Sequence, residues 1–441
     1  MRDPIFLAAF IYLLYLGLKH PSVAVSTWLW VAMVMPKNAL YGFGSSMRFN
    51  AFIALATIAT TVLNNKKVKG CFDAISFMAV AFFVQMTLSS IFAENDPKPV
   101  WVAYDKAVKI LLLYFFATAL INTRKQLELF VLAMLIGLSY HGVIEGLKFA
   151  ASGGGHRIHT GFMGDNNMLA LALCMAMPLF GYFMAQAPNK IYRWAAAGCM
   201  LLFALSIMGT NSRGGFVGMA FLLLMNFVFA KKKLGLGVIY TIGIIFAVSL
   251  MQDQYIDRLN TIDNAAESDG SFMGRLVAWK VATLLALEHP FLGVGFYGLQ
   301  NHGLFFGQAE NYDNLSFIPA PDIYFATFAK AAHSIYFQVL SDHGFVGFFI
   351  YFGMIGIAII KAMNLMMSAT SEEWMRNLAK YVLVALMVFC LSGAALSFAY
   401  NDVSFALLAM VTIMGKIKRT QQQEQHKIKM RERELRLAGK L

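Results

Sequence analysis

Charge is scarce in this chain. Of its 441 residues only 14% are Asp, Glu, Lys or Arg, whereas soluble domains carry about a quarter, so a soluble enzyme is excluded. Cysteine is scarce too. Cys71, Cys174, Cys199 and Cys390 lie in or at the edges of apolar runs, with no C-x-x-C and no metal-ligand spacing, and read as small apolar residues rather than disulfides or ligands. What abounds is hydrophobic surface, at 59% of residues and a mean hydropathy of +0.60. A helical span takes roughly 20 apolar residues, so a dozen fit. Long runs, rather than alternating segments of about 10 residues, favour a helical bundle over an outer-membrane barrel. The opening Met-Arg-Asp-Pro runs into Ile5–Leu18 without a small-residue cleavage site, so this first hydrophobic segment is expected to remain.

Thirteen apolar runs stand out, near 5–18, 22–35, 50–63, 74–93, 107–121, 127–149, 167–185, 194–210, 215–230, 235–251, 345–363, 378–396 and 402–415. The first two are separated only by Lys19, His20 and Pro21. They read either as two tilted spans or as one broken span, and the second reading, which is preferred, gives twelve transmembrane helices instead of thirteen. From the third run onward every second connection is basic: Lys66, Lys67 and Lys69; Arg124 and Lys125; Lys190 and Arg193; Lys231 to Lys233; Lys361, Arg376 and Lys380; then the tail from Lys416. The positive-inside rule places these in the cytoplasm. The other connections then face outward, the longest of them 252–344. Between Gln252 and His333 nine acids face four bases, whereas residues 416–441 carry nine bases and three acids. The high net charge is therefore mostly that of a cytoplasmic tail, read as a solvated end in preference to a basic helix lying on lipid; nothing else supports nucleic-acid binding. The chain thus divides into N-terminal transmembrane helices (1–149), helices carrying two outer loops (150–251), a large outer loop (252–344), C-terminal transmembrane helices (345–415) and the tail (416–441).

Ionisable groups that interrupt apolar stretches are costly and hence functional candidates. Arg213 sits in GTNSRGGFVG, a short outer connection. Gly214 and Gly215 let the backbone approach an anion, and the helix N-terminus offers free N–H groups beside the guanidinium, which suits a phosphate or diphosphate. An arginine snorkelling to lipid headgroups beside a glycine turn is the competing reading. Arg275 is one of few bases in the acidic loop, a local positive focus or a structural partner of Asp269. Arg157, in GGGHRIHTGFMGDNN, can extend a diphosphate clamp, while Asp165, Asn166 and Asn167 are expected to cap the next helix. His333 ends the long loop and opens a membrane-bound helix, where a neutral imidazole can take a proton from a hydroxyl. His156, His159, His289, His302 and His343 compete with it. Gly293 and Gly295 lack the strand–helix context of a dinucleotide fingerprint and read as a tight turn after Pro290.

SRGG at 212–215, R-x-x-x-W at 275–279 followed by HPFLGVG at 289–295, and HSIYFQVLSDHGFVG at 333–347 together resemble, in order, the bacterial O-antigen ligase and polymerase superfamily. The N-terminal third resembles a subgroup of exosortase-associated O-glycosylation ligases. The resemblance implies a GT-C-type glycosyltransferase of the inner membrane. Such an enzyme transfers a preassembled glycan from undecaprenyl diphosphate, on the periplasmic side, to lipid A-core, to another lipid-linked glycan or to a protein Ser or Thr. The family's essential histidine falls on His333 and its arginines on Arg213 and Arg275. The family often has H-N-x-Y-L where this chain reads HSIYF, so Ser334 and Phe337 leave the subgroup open.

The expected mechanism is an inverting displacement without metal or cofactor: His333 as base or orienter, with Arg213, Arg275 and Arg157 stabilising the departing diphosphate. Two rivals stand beside it. A metal-dependent transferase would use Glu94 and Asp96, which lack D-x-D spacing. A lipid flippase would fit the span count, yet shows no obvious internal repeat.

Overall fold

The computed structural model describes residues 2–63, 72–158, 164–230 and 270–437, together with positions 233–235, 237, 241, 243 and 245. Cys71, His159, most of the run near 235–251 and the acidic stretch 252–269 lie outside the described residues. Everything described is helix, turn or irregular chain, as a lipid-facing backbone that must satisfy its own polar groups requires.

The principal helices are α1 (Arg2–Lys19), α2 (Pro21–Val34), α3 (Phe49–Leu63), α4 (Ala74–Ile91), α5 (Pro97–Leu120), α6 (Arg124–Ala151), α7 (Asn166–Gln186), α8 (Lys190–Gly209), α9 (Arg213–Phe229), α10 (Gly270–Glu288), α11 (Ile335–Met367), α12 (Glu373–Gly393) and α13 (Asp402–Leu437). Six of them, α4, α6, α7, α8, α11 and α12, are long and apolar enough to cross a membrane, and α2, α3 and α9 are shorter apolar helices. Their starts are written in the sequence as caps. Asp73, Thr123, Asp165, Asn189 and Ser212 each accept a backbone N–H of the first turn.

The first two apolar runs do not make one broken span. Phe6 near the start of α1 stacks on Trp30 near the end of α2 at 5.2 Å. A Cβ on Gly17, near the other end of α1, would lie 3.1 Å from Ala24. The pair therefore doubles back at His20-Pro21, where the proline opens a new helix.

Basic residues gather at one end of the bundle. Arg124 Nη2 donates to Gln186 Oε1 at 3.1 Å and Lys418 Nζ to Ser368 Oγ at 2.6 Å. Lys416 Nζ donates to the Thr118 and Ile121 carbonyls at the C-terminus of α5, at 2.7 and 3.2 Å, where a cation meets the negative end of the helix dipole. The described part of the tail is helical, α13 running from Asp402 to Leu437.

The opposite end carries residues 152–158 and 164–165, the connections 210–212 and 394–401 and the segment from α10 to His333. That segment has an apolar core of its own, in which Val277, Val281 and Leu285 of α10 pack with Val294, Phe305 and Ile323. Burying this cluster beside the bundle gives a compact platform on which site residues can be held.

Candidate active site

Two glycine-rich motifs interlock to fix where α11 begins. Val294 N donates to Ser341 O and Gly295 N to Asp342 O, both at 3.0 Å, and Phe345 N to Pro290 O at 2.8 Å. The fit needs glycine: Gly293 and Gly344 both have φ of 66°, and a Cβ on Gly344 would come within 2.6 Å of the Pro290 carbonyl. Helix α4 closes over the knot, Gln85 Nε2 donating to Phe291 O at 2.6 Å and Ser89 Oγ to Asp342 O at 2.8 Å. His343 lies inside it, fully buried, with Nδ1 3.0 Å from Ser89 Oγ and its ring edge-on to Phe296. Of the competing histidines, this one is thereby placed in packing. At Gly344 α11 breaks, so that 335–343 forms a short arm ahead of the longer stretch that begins at 345.

His333 stands at the head of that arm. Its φ of 44° is left-handed, a conformation that is rare for a side chain with a Cβ and is retained where the surroundings over-determine it. The surroundings here are α10 and Phe337: Trp279 Nε1 donates to Ala332 O at 2.7 Å, and its ring stacks on Phe337 at 5.0 Å and 10°. Lys330 crosses the first turn of α10, where a Cβ on Gly274 would meet its Nζ at 2.5 Å. Arg275 follows directly. Half-buried His333 is held below its ordinary pKa by desolvation, then by the Arg275 charge, with Asp165 opposing and Lys330 adding to the depression. A neutral imidazole is thus favoured there.

His333 faces a cavity of about 150 Å³ whose wall includes Lys106, Asp165, Tyr297, Gln338 and Tyr400. Gln338 Oε1 accepts from Ala399 N at 3.1 Å and Tyr400 donates to the Asp342 carboxylate at 3.1 Å. Tyr297 is itself left-handed, with φ of 59°. Two strained residues therefore face one small polar cavity.

The Arg213 segment joins this end through its neighbours. Ser212 Oγ accepts Gly215 N at 3.1 Å, which begins α9 with Arg213 as its first, exposed residue. Gly215 permits close packing, since a Cβ there would lie 2.9 Å from Ala170 Cβ of α7, and one on Gly214 would lie 3.7 Å from the Ser392 carbonyl of α12. The next residue of α12, Gly393, is where a Cβ would meet Ile335 at 2.7 Å, two residues beyond His333. Asn166 Nδ2 donates to Thr210 O at 2.7 Å, so the turn before Arg213 is pinned to the cap formed by Asp165. Arg157 enters by backbone pairing, Ile158 N donating to Gly209 O at 2.9 Å. Arg275 and His333 are thus in electrostatic contact, whereas Arg213 and Arg157 stand on segments fastened to the same end. Asp165 acts as the expected cap, accepting Asn167 N at 2.6 Å. Sequence reading missed its second role as the carboxylate facing His333. It also missed Lys106, Tyr297, Lys330 and Tyr400, which lie outside the motifs, and Gln338, which lies within HSIYFQVLSDHGFVG but was not singled out; only folding brings them to His333.

Residues 198–352 match the family model of O-antigen ligases, and residues 1–188 match that of a family of unknown function. No curated protein matches the chain. The matched stretch contains Arg213, Arg275, His333 and the glycines of the knot, so this part of the chain is similar to the O-antigen ligase family.

Proposed function

We propose that the protein is a GT-C-type glycosyltransferase of the bacterial inner membrane that moves a preassembled glycan from undecaprenyl diphosphate to an acceptor hydroxyl on the periplasmic side, with lipid A-core as the acceptor. The observation that carries this reading is the strained His333 beside Arg275, at the end of the bundle opposite the basic connections, within the stretch matched by the O-antigen ligase family.

In this reading neutral His333 accepts the proton of the acceptor hydroxyl as its oxygen forms a bond to the anomeric carbon. The bond from that carbon to the diphosphate oxygen breaks on the opposite face, and the electron pair leaves with undecaprenyl diphosphate, so the anomeric configuration inverts. Arg275, Arg213 and Arg157, with the N–H group at Gly214, take up the charge that grows on the leaving group, while the Gly215 N–H is already used by the Ser212 cap. Guanidinium groups match the paired oxygens of a diphosphate and stay charged at any working pH, so the mechanism asks for no metal.

Purified protein supplied with a lipid-linked glycan and, in turn, lipid A-core, a second lipid-linked glycan and a pilin-like protein tests the assignment. Product on lipid A-core in excess chelator is the expected result. Product only on the second glycan would make it a polymerase, product only on protein an O-oligosaccharyltransferase, and glycan movement without a new glycosidic bond a flippase.

A further inference from the structure

A second, larger cavity is lined, apart from Asp402, by the part of the chain matched only by the family of unknown function. Its volume is about 600 Å³, within the 300–1,000 Å³ usual for ligand sites. The end of α2, the connection 35–48, the start of α3, α5 and Asp402 at the head of α13 enclose it. Four cations line it, Lys37, Arg48, Lys106 and Lys109, above an apolar floor that includes Trp28 and Phe49.

Two acids offset part of that charge. Asp105 pairs with Lys109, and Asp402 faces Lys106. Lys37 and Arg48 make no ion pair among the described residues. Cations on a mostly apolar wall fit an anion attached to a hydrophobic body, and a small soluble anion would leave the floor unused.

The wall is pinned by contacts within the fold. Met35 at the end of α2 is left-handed, with φ of 50°. Two carbonyls just before it, Met33 O and Val34 O, each lie 3.1 Å from His141 Nε2 of α6. Tyr140 donates to Ala39 O at 3.3 Å, and Tyr41 N donates to Asp3 Oδ1 at 3.1 Å. A connection pinned at Met33, Ala39 and Tyr41 keeps Lys37 in a fixed setting, which lowers the ordering cost of binding.

The cavity adjoins the His333 site. Lys106 lines both, and Asp402 follows the Ala399 and Tyr400 that wall the smaller one. We infer that this N-terminal cavity is the acceptor subsite, binding the phosphate-bearing headgroup of an acceptor glycolipid through Lys37, Arg48 and Lys106 and presenting its sugar hydroxyls to His333. The inference rests on the proposed transfer reaction, in which the donor's diphosphate is already assigned to Arg213 and Arg275. A second set of cations beside the same imidazole is then left for the other substrate.

Binding of three probes to the full chain in neutral detergent tests it: diphosphoryl lipid A, farnesyl diphosphate and inorganic phosphate. The variants are the double Lys37→Gln/Arg48→Gln and its charge-keeping counterpart Lys37→Arg/Arg48→Lys. The expected result is a loss of lipid A affinity of about tenfold or more in the first and retention in the second, since charge-assisted contacts carry the recognition. Farnesyl diphosphate binding stays unchanged in both, and inorganic phosphate binds weakly to every form. Equal lipid A affinity in wild type and the Gln variant, loss in the charge-keeping variant too, loss of farnesyl diphosphate instead, or inorganic phosphate binding as tightly as lipid A would each overturn it. Because no donor is present, these outcomes are separate from transfer: a wild type that binds lipid A yet never glycosylates lipid A-core contradicts the transfer reaction, and one that glycosylates lipid A-core without needing Lys37 or Arg48 contradicts the subsite alone.

Discussion

The indole of Trp279 donates a 2.7 Å hydrogen bond to the carbonyl of Ala332, the residue immediately before His333. This bond ties α10, which carries Arg275, to the backbone that holds the imidazole in its left-handed setting. Trp279→Phe keeps a ring against Phe337 and removes the donor. A lost hydrogen bond costs about 0.5–1.5 kcal/mol, so transfer should fall by up to about tenfold through kcat, with KM and melting temperature little changed. A change confined to KM would show that the bond does not position His333.

The pH dependence of transfer follows from the charges around His333. Desolvation and the Arg275 and Lys330 cations destabilise the imidazolium, and Asp165 stabilises it. A base must be neutral, so activity is expected to persist below the ordinary histidine range and to fall at still lower pH. Lys330→Gln removes a cation, raises the pKa and moves the acid limb of the rate profile upward. Asp165→Asn keeps a capping side chain, removes the carboxylate and moves the limb downward. Shifts in the reverse directions would contradict the assignment of His333 as base.

The glycine knot predicts stability effects. Gly344→Ala must hold φ near 66° with its Cβ 2.6 Å from the Pro290 carbonyl, a cost of more than about 1 kcal/mol, visible as a lowered melting temperature in detergent. Gly353, in the same helix, has open space where a Cβ would stand, with nothing within 4 Å, so Gly353→Ala should be neutral to within about 0.5 kcal/mol. Equal melting of the two variants would show that the knot bears no strain.

Removing Arg275 should act on the charge of the transition state. Arg275→Gln is expected to lower kcat by about 10²–10³, in line with loss of one preorganised stabilising group, with Arg275→Lys between it and wild type because the paired donors are lost but the charge remains. Single-turnover transfer measures it, and a lysine variant as slow as the glutamine one would point to geometry alone.

Much of this arrangement was legible in the order of residues, for a physical reason. Helices in lipid are local objects, so apolar runs and caps such as Asp165 and Ser212 marked the elements. Gly293 and Gly295 did mark a turn, but its partner, Gly344, lies far along the chain, and no local signal joins them. The polar wall around His333 was illegible for the same reason. Lys106, Tyr297 and Tyr400 come from separate parts of the chain and are unremarkable in their own neighbourhoods, and Asp165 is legible there only as a helix cap. His343 shows the converse: it shares a motif with His333, and only the three-dimensional packing on α4 separates a buried packing histidine from one that faces a cavity.

The most direct test of the central claim is the simultaneous measurement of glycan joined to acceptor and undecaprenyl diphosphate released by the purified protein, for wild type and His333→Ala at equal folded concentration. The account predicts equal molar amounts of the two products in wild type and neither in the variant. Undiminished joining by His333→Ala, or diphosphate release without a new glycosidic bond in wild type, would contradict it.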